Sequence, residues 1–351
     1  MRVLVASDFV GSLTSSQAGR AIASGWSAAD VRVLPVGDSG AGFARAYADL
    51  LDAQLEAAVD GDLLATTAAV GRTVLTQVSG PGVDRGLALT ASSRPLGEVL
   101  AGILRDQRPD QLVVDLSGLP VHDAGAGLLA ALGADADQPL DEGVAPLGRL
   151  NSVDLAGPRA LLEQTELVGV VPSAQLSQPL LGLRGITSLA GRAAGLDPAD
   201  LLATDAALER FAKLAAPEQA AAPSAGACGG LGFAVLALGG RLTTGPALAF
   251  ASPAGLRAGS GVELVVTGCS VFDFARRGGG VVAAAADLAA GSLSPCVLIA
   301  GEVVVGAREM RAMGIEAAYP VHESALDLPT GEVTEVELRR TAERVARSWR
   351  W

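Results

Sequence analysis

The opening of the chain alternates apolar runs with amphipathic segments, and this order restricts the fold more than any other feature. Residues 3–6 form an apolar run, and helix-like spacing follows over residues 15–26. Residues 31–36 form a second apolar run, and residues 43–55 have helical spacing again. Strands that are separated by single helices pair in parallel. The opening therefore predicts an α/β fold with a parallel sheet.

The rest of the chain continues the alternation of strands and helices, interrupted by a segment rich in Ala and Pro. The patterns predict strands over residues 73–79, 111–116, 262–266, 296–300 and 316–319. They predict helices over residues 96–105, 125–132, 200–215, 280–290, 307–313 and 334–349. Residues 217–226 repeat Ala and Pro, which is typical of a linker.

Charge and hydropathy exclude several classes of partner. The formal net charge is −12, and so acidic a chain repels nucleic-acid backbones and anionic membrane surfaces. No apolar stretch reaches the roughly 18 residues that a membrane span needs. The first apolar run is too short for a signal peptide. We therefore expect a cytoplasmic protein with no nucleic-acid or membrane partner.

The cysteines and histidines give no sign of a metal site. Three cysteines and two histidines occur, at spacings that match no familiar zinc motif. An odd number of cysteines favours reduced thiols over a disulfide framework.

Six glycine-rich or acidic motifs follow one another along the chain. They are S-D-F-V-G-S-L from Ser7, P-V-G-D-S-G-A-G from Pro35, S-G-L-P-V-H-D-A-G-A-G from Ser117, Q-P-L-L-G from Gln178, S-A-G-A-C-G-G-L-G from Ser224 and V-T-G-C-S-V-F-D from Val266. In this order they resemble A-P-D-S-F-K-G-S-L, P-x-A-D-G-G-E-G, G-G-S-A-T-N-D-G-G-A-G, N-P-L-L-G, G-A-G-A-A-G-G-L-G and V-I-T-G-E-G-R-L-D of the bacterial two-domain glycerate kinases.

The resemblance implies two α/β domains with a cleft between them. We expect a discontinuous Rossmann-like, parallel-sheet domain of residues 1–62 and 260–351, with an inserted second α/β domain of residues 63–259. It also implies the family ligands ATP, Mg²⁺ and D-glycerate. The expected reaction is transfer of the γ-phosphoryl group to a hydroxyl of D-glycerate or of a related small hydroxy acid.

The resemblance also implies a set of site residues. The predicted catalytic residues are Asp38, Asp123, Asp273 and His122, and Asp273 is the predicted Mg²⁺ ligand. The predicted phosphate- or ligand-binding residues are Asp8, Ser12, Gly118, Gly125, Gly229, Gly230, Gly268, Arg276 and Arg277. Structural alternatives stay open, because aspartate caps helices and turns and glycine permits tight turns. His122 is either a base beside Asp123 or a hydrogen-bonded loop histidine.

The basic residues of the family motifs are missing. The family's opening lysine aligns with Val10 or a gap, its G-E-G-R has become Gly268-Cys269-Ser270-Val271, and the lysine of a later G-K is Gly279. Phosphoryl transfer needs positive groups around the transferred oxygens. Arg276 and Arg277 are the candidate replacements.

Three hypotheses follow from these losses. The chain is a glycerate kinase of weakened activity, it is a non-catalytic pseudokinase that binds a small anion or a protein partner, or it is a different enzyme on the same scaffold that acts on another substrate. A homodimer is a further option, with the closing Trp349-Arg350-Trp351 as its candidate contact.

Overall fold

The computed structural model describes residues 1–81, 87, 89–322 and 332–349. The chain forms two compact units. Met1–Ala53 and Thr244–Trp351 make up the first unit, and Gln54–Thr243 makes up the second unit. The structure therefore has a discontinuous first unit into whose sequence the second unit is inserted.

The elements follow in chain order. The first unit begins with β1 (Arg2–Ser7), α1 (Ser15–Ala23), β2 (Asp30–Pro35) and α2 (Phe43–Leu50). The second unit contains β3 (Glu56–Asp60), β4 (Leu63–Val70), β5 (Thr73–Ser79), α3 (Arg94–Asp106), β6 (Gln111–Asp115), α4 (Ala126–Ala131), β7 (Asp135–Ala136), β8 (Val153–Asp154), α5 (Ala156–Leu161), β9 (Glu166–Val170), α6 (Ile186–Ala193), α7 (Pro198–Ala215), α8 (Leu231–Ala237) and β10 (Arg241–Thr243). The first unit resumes with α9 (Gly245–Ala251), α10 (Pro253–Gly259), β11 (Leu264–Phe272), α11 (Gly279–Gly291), β12 (Cys296–Val303), α12 (Ala307–Ala312), β13 (Ala317–Pro320) and α13 (Glu335–Ala346).

The first unit is built on one five-stranded sheet in the order β13-β12-β11-β1-β2. All of its neighbouring strands pair in parallel. Val3, Leu4 and Val5 of β1, which lies between β11 and β2, are completely buried, because the sheet is covered on both faces. The predicted parallel α/β fold is therefore confirmed for this unit.

Helix caps fix the start of both helices on one face of this sheet. Thr14 accepts the backbone N–H of Gln17, whose side chain accepts the N–H of Thr14 in return. Thr334 and Glu337 form the same reciprocal pair at α13. Such a capping box satisfies backbone donors that a helix start leaves unpaired.

The second unit has a mixed sheet in the order β10-β9-β6-β5-β4-β3. The pairs from β10 to β5 are parallel, and β5, β4 and β3 pair antiparallel. The short strands β7 and β8 form a separate antiparallel pair. The unit has a core of its own, in which Phe211 and Phe233 meet edge to face at 5.8 Å between ring centroids.

The unit boundaries differ from the expected ones at 62/63 and 259/260. β3 belongs to the second unit because it pairs with β4, and α9 and α10 belong to the first unit. The linker prediction for residues 217–226 was wrong. Ala225 is completely buried, and its carbonyl accepts the N–H of Phe233 inside the second unit. Ala225 and Gly226 are buried in close packing, whereas Pro217 and Pro223 are exposed.

Candidate functional site

The carboxyl edge of the first sheet collects three of the predicted aspartates. Asp8 follows β1 directly, Asp38 follows β2 by a short turn, and Asp273 follows β11 directly. β1 lies between β2 and β11, so the order of the strands reverses at this point of the sheet. Ligands of open parallel sheets bind at such a reversal, outside the carboxyl ends of the strands.

Asp8 is held in place by its own backbone and that of its neighbour. Its N–H donates to the carbonyl of Gly268 at 3.0 Å, and its Oδ1 accepts the N–H of Phe9 at 2.8 Å. Burial raises the pKa of the Asp8 carboxyl to about 7, the negative charge of Asp38 adds to the rise, and the Phe9 bond opposes it. A carboxyl with this pKa exchanges its proton near neutral pH.

Asp8 opens into a pocket of about 230 Å³. The pocket is lined by Asp8, Phe9, Gly11, Ser12, Leu13, Thr14, Ser15, Ala41, Gly42 and Arg45. It thus brings together Asp8 and Ser12, two of the predicted ligand residues.

The pocket also contains Arg45, which sequence reasoning missed. Arg45 is exposed, and its side chain makes no hydrogen bond or ion pair with another residue in the described ranges. It lies in the first turn of α2, directly after the Gly40–Gly42 turn. That position, next to a glycine turn of the motif beginning at Pro35, was the signal available in the sequence.

Asp38 and Asp273 each organise a turn. Oδ1 of Asp38 accepts the N–H of Ser39 at 3.0 Å. Oδ1 of Asp273 accepts the N–H of Arg276 at 2.6 Å, and the Asp273 carbonyl accepts the N–H of Arg277 at 3.0 Å. The structural role that aspartate has in turns is therefore present at both positions.

Arg276 and Arg277 lie in the turn that Asp273 organises, outside the pocket that contains Asp8. Both side chains are exposed, and neither lines the pocket that contains Asp8. Arg277 has a positive φ of 51°, which belongs to the turn that leads into α11. Their predicted role as replacements for lysine stays a prediction.

Gly268 and Cys269 lie where β11 packs against β1. A Cβ at Gly268 would come within 2.5 Å of the Ser7 hydroxyl, so glycine is needed for close strand contact. Burial raises the pKa of the Cys269 thiol to about 12, with the charges of Asp8 and Asp273 adding to the rise. The thiol is therefore protonated at neutral pH and has no nucleophilic thiolate.

In the second unit, Asp123 is completely buried and anchors its own loop. It accepts the N–H and the hydroxyl of Ser93 at 2.8 Å each, the N–H of Gly125 at 3.0 Å and the N–H of Gly127 at 3.1 Å. Burial raises the pKa of Asp123, and these four bonds oppose the rise. The carboxyl is engaged by its own unit on both oxygens.

His122 is also committed to the interior of the second unit. Its Nε2 lies 3.0 Å from the hydroxyl of Thr187, and burial lowers the pKa of the imidazole to about 4. The side chain is therefore neutral at pH 7. The hydrogen bonds of Asp123 go to Ser93, Gly125 and Gly127, so the structure has the hydrogen-bonded loop histidine rather than a His122–Asp123 pair.

The glycine loops of the second unit interlock with each other. Gly229 has φ of 66°, a Cβ there would overlap the carbonyl of Val121, and the Gly229 carbonyl accepts the N–H of Ala124 at 3.2 Å. The N–H of Cys228 donates to the Gln175 side chain at 2.8 Å. Added Cβ atoms would likewise meet neighbouring atoms at Gly118, Gly125 and Gly230. Close packing therefore requires glycine at these positions, and their predicted role in phosphate or ligand binding stays a prediction.

The described residues contain neither a metal-binding cluster nor a membrane-spanning helix. Over the described ranges, no group of three or more His, Cys, Asp and Glu side chains could hold a metal ion. Within the same ranges, no helix has both the length and the apolar character that crossing a membrane requires.

These features define a class of protein: an α/β protein of two units, with acidic and glycine-rich turns at the carboxyl edge of a parallel sheet. The chain belongs to the glycerate kinase family, because the sequence model of that family matches residues 3–350.

Individual relatives and a solved structure agree with this assignment. The chain is 31% identical to the Mycobacterium bovis protein named Uncharacterized protein Mb2228c, over 93% of this chain and 85% of the relative. It is 27% identical to the glycerate kinase of Bacillus subtilis, over 99% and 97% of the two chains. It is similar to a crystal structure assigned to glycerate kinase 2 from Salmonella typhimurium LT2, with a TM-score of 0.79, 25% identity and coverage of 99% and 98%.

Proposed function

We propose that the chain is an ATP-dependent kinase that phosphorylates a hydroxyl of D-glycerate or of a related small hydroxy acid. Two relatives carry the names glycerate kinase and glycerate kinase 2. The observation that carries the proposal is the pocket in which the Asp8 carboxyl, with a pKa of about 7, shares its walls with Arg45 and Ser12.

Asp8 acts as the general base. The acceptor hydroxyl gives its proton to Asp8 while its oxygen forms a bond to the transferred phosphoryl group and the bond to the ADP oxygen breaks. Only Oδ1 of Asp8 is hydrogen-bonded within the described ranges, so Oδ2 remains for the substrate. A base with a pKa near the working pH combines a useful ionised fraction with useful basicity.

Arg45 supplies the positive charge of the pocket. Its guanidinium has five N–H donors in a planar fork that matches a carboxylate or a phosphoryl group. We assign to it the carboxylate of the hydroxy acid, with Ser12 as a second donor. This arrangement gives a cation to a site whose family motif has lost its lysine and arginine.

Magnesium fits the acidic edge only as an ion that arrives with the nucleotide. Mg²⁺ is commonly bound by one or two carboxylates together with substrate phosphates. Asp273 would hold it, since its Oδ1 is used by Arg276 and its Oδ2 makes no hydrogen bond to a described residue. Mg²⁺ bound there would neutralise phosphate charge.

The test measures ADP formation with Mg-ATP and D-glycerate for the wild type, Asp8→Asn and Arg45→Gln. Loss of a general base lowers rates by about 10²- to 10⁴-fold, and we expect this for Asp8→Asn. Arg45→Gln should raise KM for D-glycerate more than it lowers kcat. Arg311→Gln, an exposed arginine of α12 in the same unit, serves as the matched control.

The pH profile provides a second readout. Because the base must be ionised, kcat/KM of the wild type should rise as pH increases through about 7 and then level off. If Asp8→Asn retains the wild-type rate, or if the pH profile of the wild type shows no such rise, Asp8 is not the general base.

A second candidate is a non-catalytic pseudokinase that binds a small anion or a protein partner. This candidate is favoured because predicted site residues of the second unit form hydrogen bonds within that unit. Asp123 accepts four hydrogen bonds from its own loop region, and the Cys228 N–H donates to Gln175. Binding of Mg-ATP or D-glycerate by folded protein, without any ADP formation, would select this candidate.

A further inference from the structure

A second pocket lies at the free edge of the first sheet. Its volume is about 820 Å³, and it is walled by α1, β2, the end of α2 and α10. β2 is the last strand of its sheet, so the pocket occupies the place where a further strand would pair. None of its lining residues belongs to the pocket that contains Asp8.

Three arginines from three different elements line this pocket. Arg20 comes from α1, Arg32 from β2 and Arg257 from α10. Their convergence is unusual in a chain of net charge −12. Like charges repel, so such a cluster is most stable with an anion between its members.

The three guanidinium groups differ in their partners. Arg32 donates through Nη1 to the carbonyl of Arg257, and its Nη2 lies 3.7 Å from Asp30. No hydrogen bond or ion pair joins the side chain of Arg20 or Arg257 to another described residue. Arg32 is therefore a fixed part of the wall, and the other two arginines have donors to offer.

The remaining walls combine one acidic group with aliphatic surface. Asp49 lines the pocket, and its carboxylate accepts the hydroxyl of Ser16. Three positive charges and one negative charge leave a net charge of two positive units on the lining. Leu50, Ala254 and Ala258 add apolar surface beside the charged groups.

We propose that this pocket binds a small phosphate ester. A dianionic phosphate matches the net positive charge of the lining, and Arg20 and Arg257 would hold it through forked hydrogen bonds. The organic part of the ester would lie on the aliphatic wall. The volume falls within the range of about 300–1,000 Å³ that is usual for small-molecule sites. The proposal does not depend on kinase activity.

The test is calorimetric titration of the full chain with phenyl phosphate, which joins a dianionic group to an apolar body. We expect one binding event that weakens as ionic strength rises, because salt screens exposed charges. Arg20→Gln and Arg257→Gln should each weaken binding by about tenfold, the scale of one charge-assisted hydrogen bond. The double variant should bind too weakly to measure, and Arg20→Lys should recover part of the loss.

Two controls separate this site from the rest of the molecule. Arg311→Gln removes an exposed arginine elsewhere in the first unit, and Arg45→Gln alters only the pocket that contains Asp8; both should bind phenyl phosphate as the wild type does. Circular dichroism checks that each variant is folded. Absence of binding to the wild type, binding that the double variant retains, or binding that Arg45→Gln abolishes would each overturn the proposal.

Discussion

Replacing Asp8 with asparagine should stabilise the first unit above neutral pH. Asparagine has nearly the same shape as aspartate, and its Oδ1 can still accept the N–H of Phe9. The substitution therefore removes the charge while it keeps the hydrogen bond. Burial disfavours that charge, and Asp38 disfavours it further. Asp8 thus lowers stability at the pH where the proposed reaction needs it ionised.

The sign and size of the effect follow from proton linkage. The folded pKa of about 7 exceeds the ordinary value of 3.8, so between these values the folded protein binds more protons than the unfolded chain. The free energy of unfolding then falls as pH rises, and the loss is complete above about pH 7. Each pKa unit corresponds to about 1.4 kcal/mol. Between about pH 5.5 and 8, the free energy of unfolding of the wild type should therefore fall by about 2 kcal/mol more than that of Asp8→Asn.

The measurement is urea unfolding of both proteins at these two pH values, which avoid the isoelectric region. Tryptophan fluorescence reports on the first unit, since Trp26 and Trp349 belong to it and residues 54–243 of the second unit contain no tryptophan. Asp287→Asn, on the exposed face of α11, is the matched control, and its free energy of unfolding should stay near that of the wild type at both pH values. If the difference in the free energy of unfolding between Asp8→Asn and wild type is the same at pH 5.5 and pH 8, the raised pKa of Asp8 is refuted.

Three further predictions concern the interior. Ser93→Ala should lower the free energy of unfolding of the second unit by about 1–3 kcal/mol, measured by urea unfolding followed by circular dichroism, because the buried Asp123 loses the hydroxyl donor. Gly229→Ala should destabilise the same unit by at least about 2 kcal/mol, since its φ is positive and its Cβ would overlap the Val121 carbonyl; a wild-type midpoint would disprove this account of the loop. Cys269 should resist iodoacetamide in the folded protein at pH 8 and react after denaturation, because burial raises its pKa to about 12; rapid labelling of the native protein, detected by mass spectrometry, would show an accessible thiolate.

Most long elements could be predicted because their patterns depend on local periodicity. The closing helix, expected over residues 334–349, is Glu335–Ala346, with Thr334 as its cap. Within this helix Val336 is 57% exposed, whereas Leu338 is completely buried. Trp349 donates through Nε1 to the Tyr319 hydroxyl at 3.0 Å, and Arg350 and Trp351 lie outside the described residues. The dimer contact stays a prediction.

The antiparallel edge of the second unit could not be predicted. The helix expected over residues 43–55 ends at Leu50, and β3 begins at Glu56. Every residue of β3 is exposed, so the strand shows no alternation of buried and exposed side chains. Its hydrogen bonds come from β4, and pairing with a neighbour leaves no mark on the local pattern.

The amino-acid pattern alone was enough to specify the parallel α/β order of the first unit and the motifs that carry family membership. Both follow from residue types at fixed spacing. Which charged groups lie together depends on the tertiary fold. Folding brings Arg45 into the pocket that contains Asp8. It also places hydrogen-bond donors from Ser93 and two glycines around Asp123. The physical reason is that pKa and charge pairing depend on burial and on neighbours distant along the chain. Asp38 raises the pKa of Asp8 across the sheet, an effect that no local pattern records.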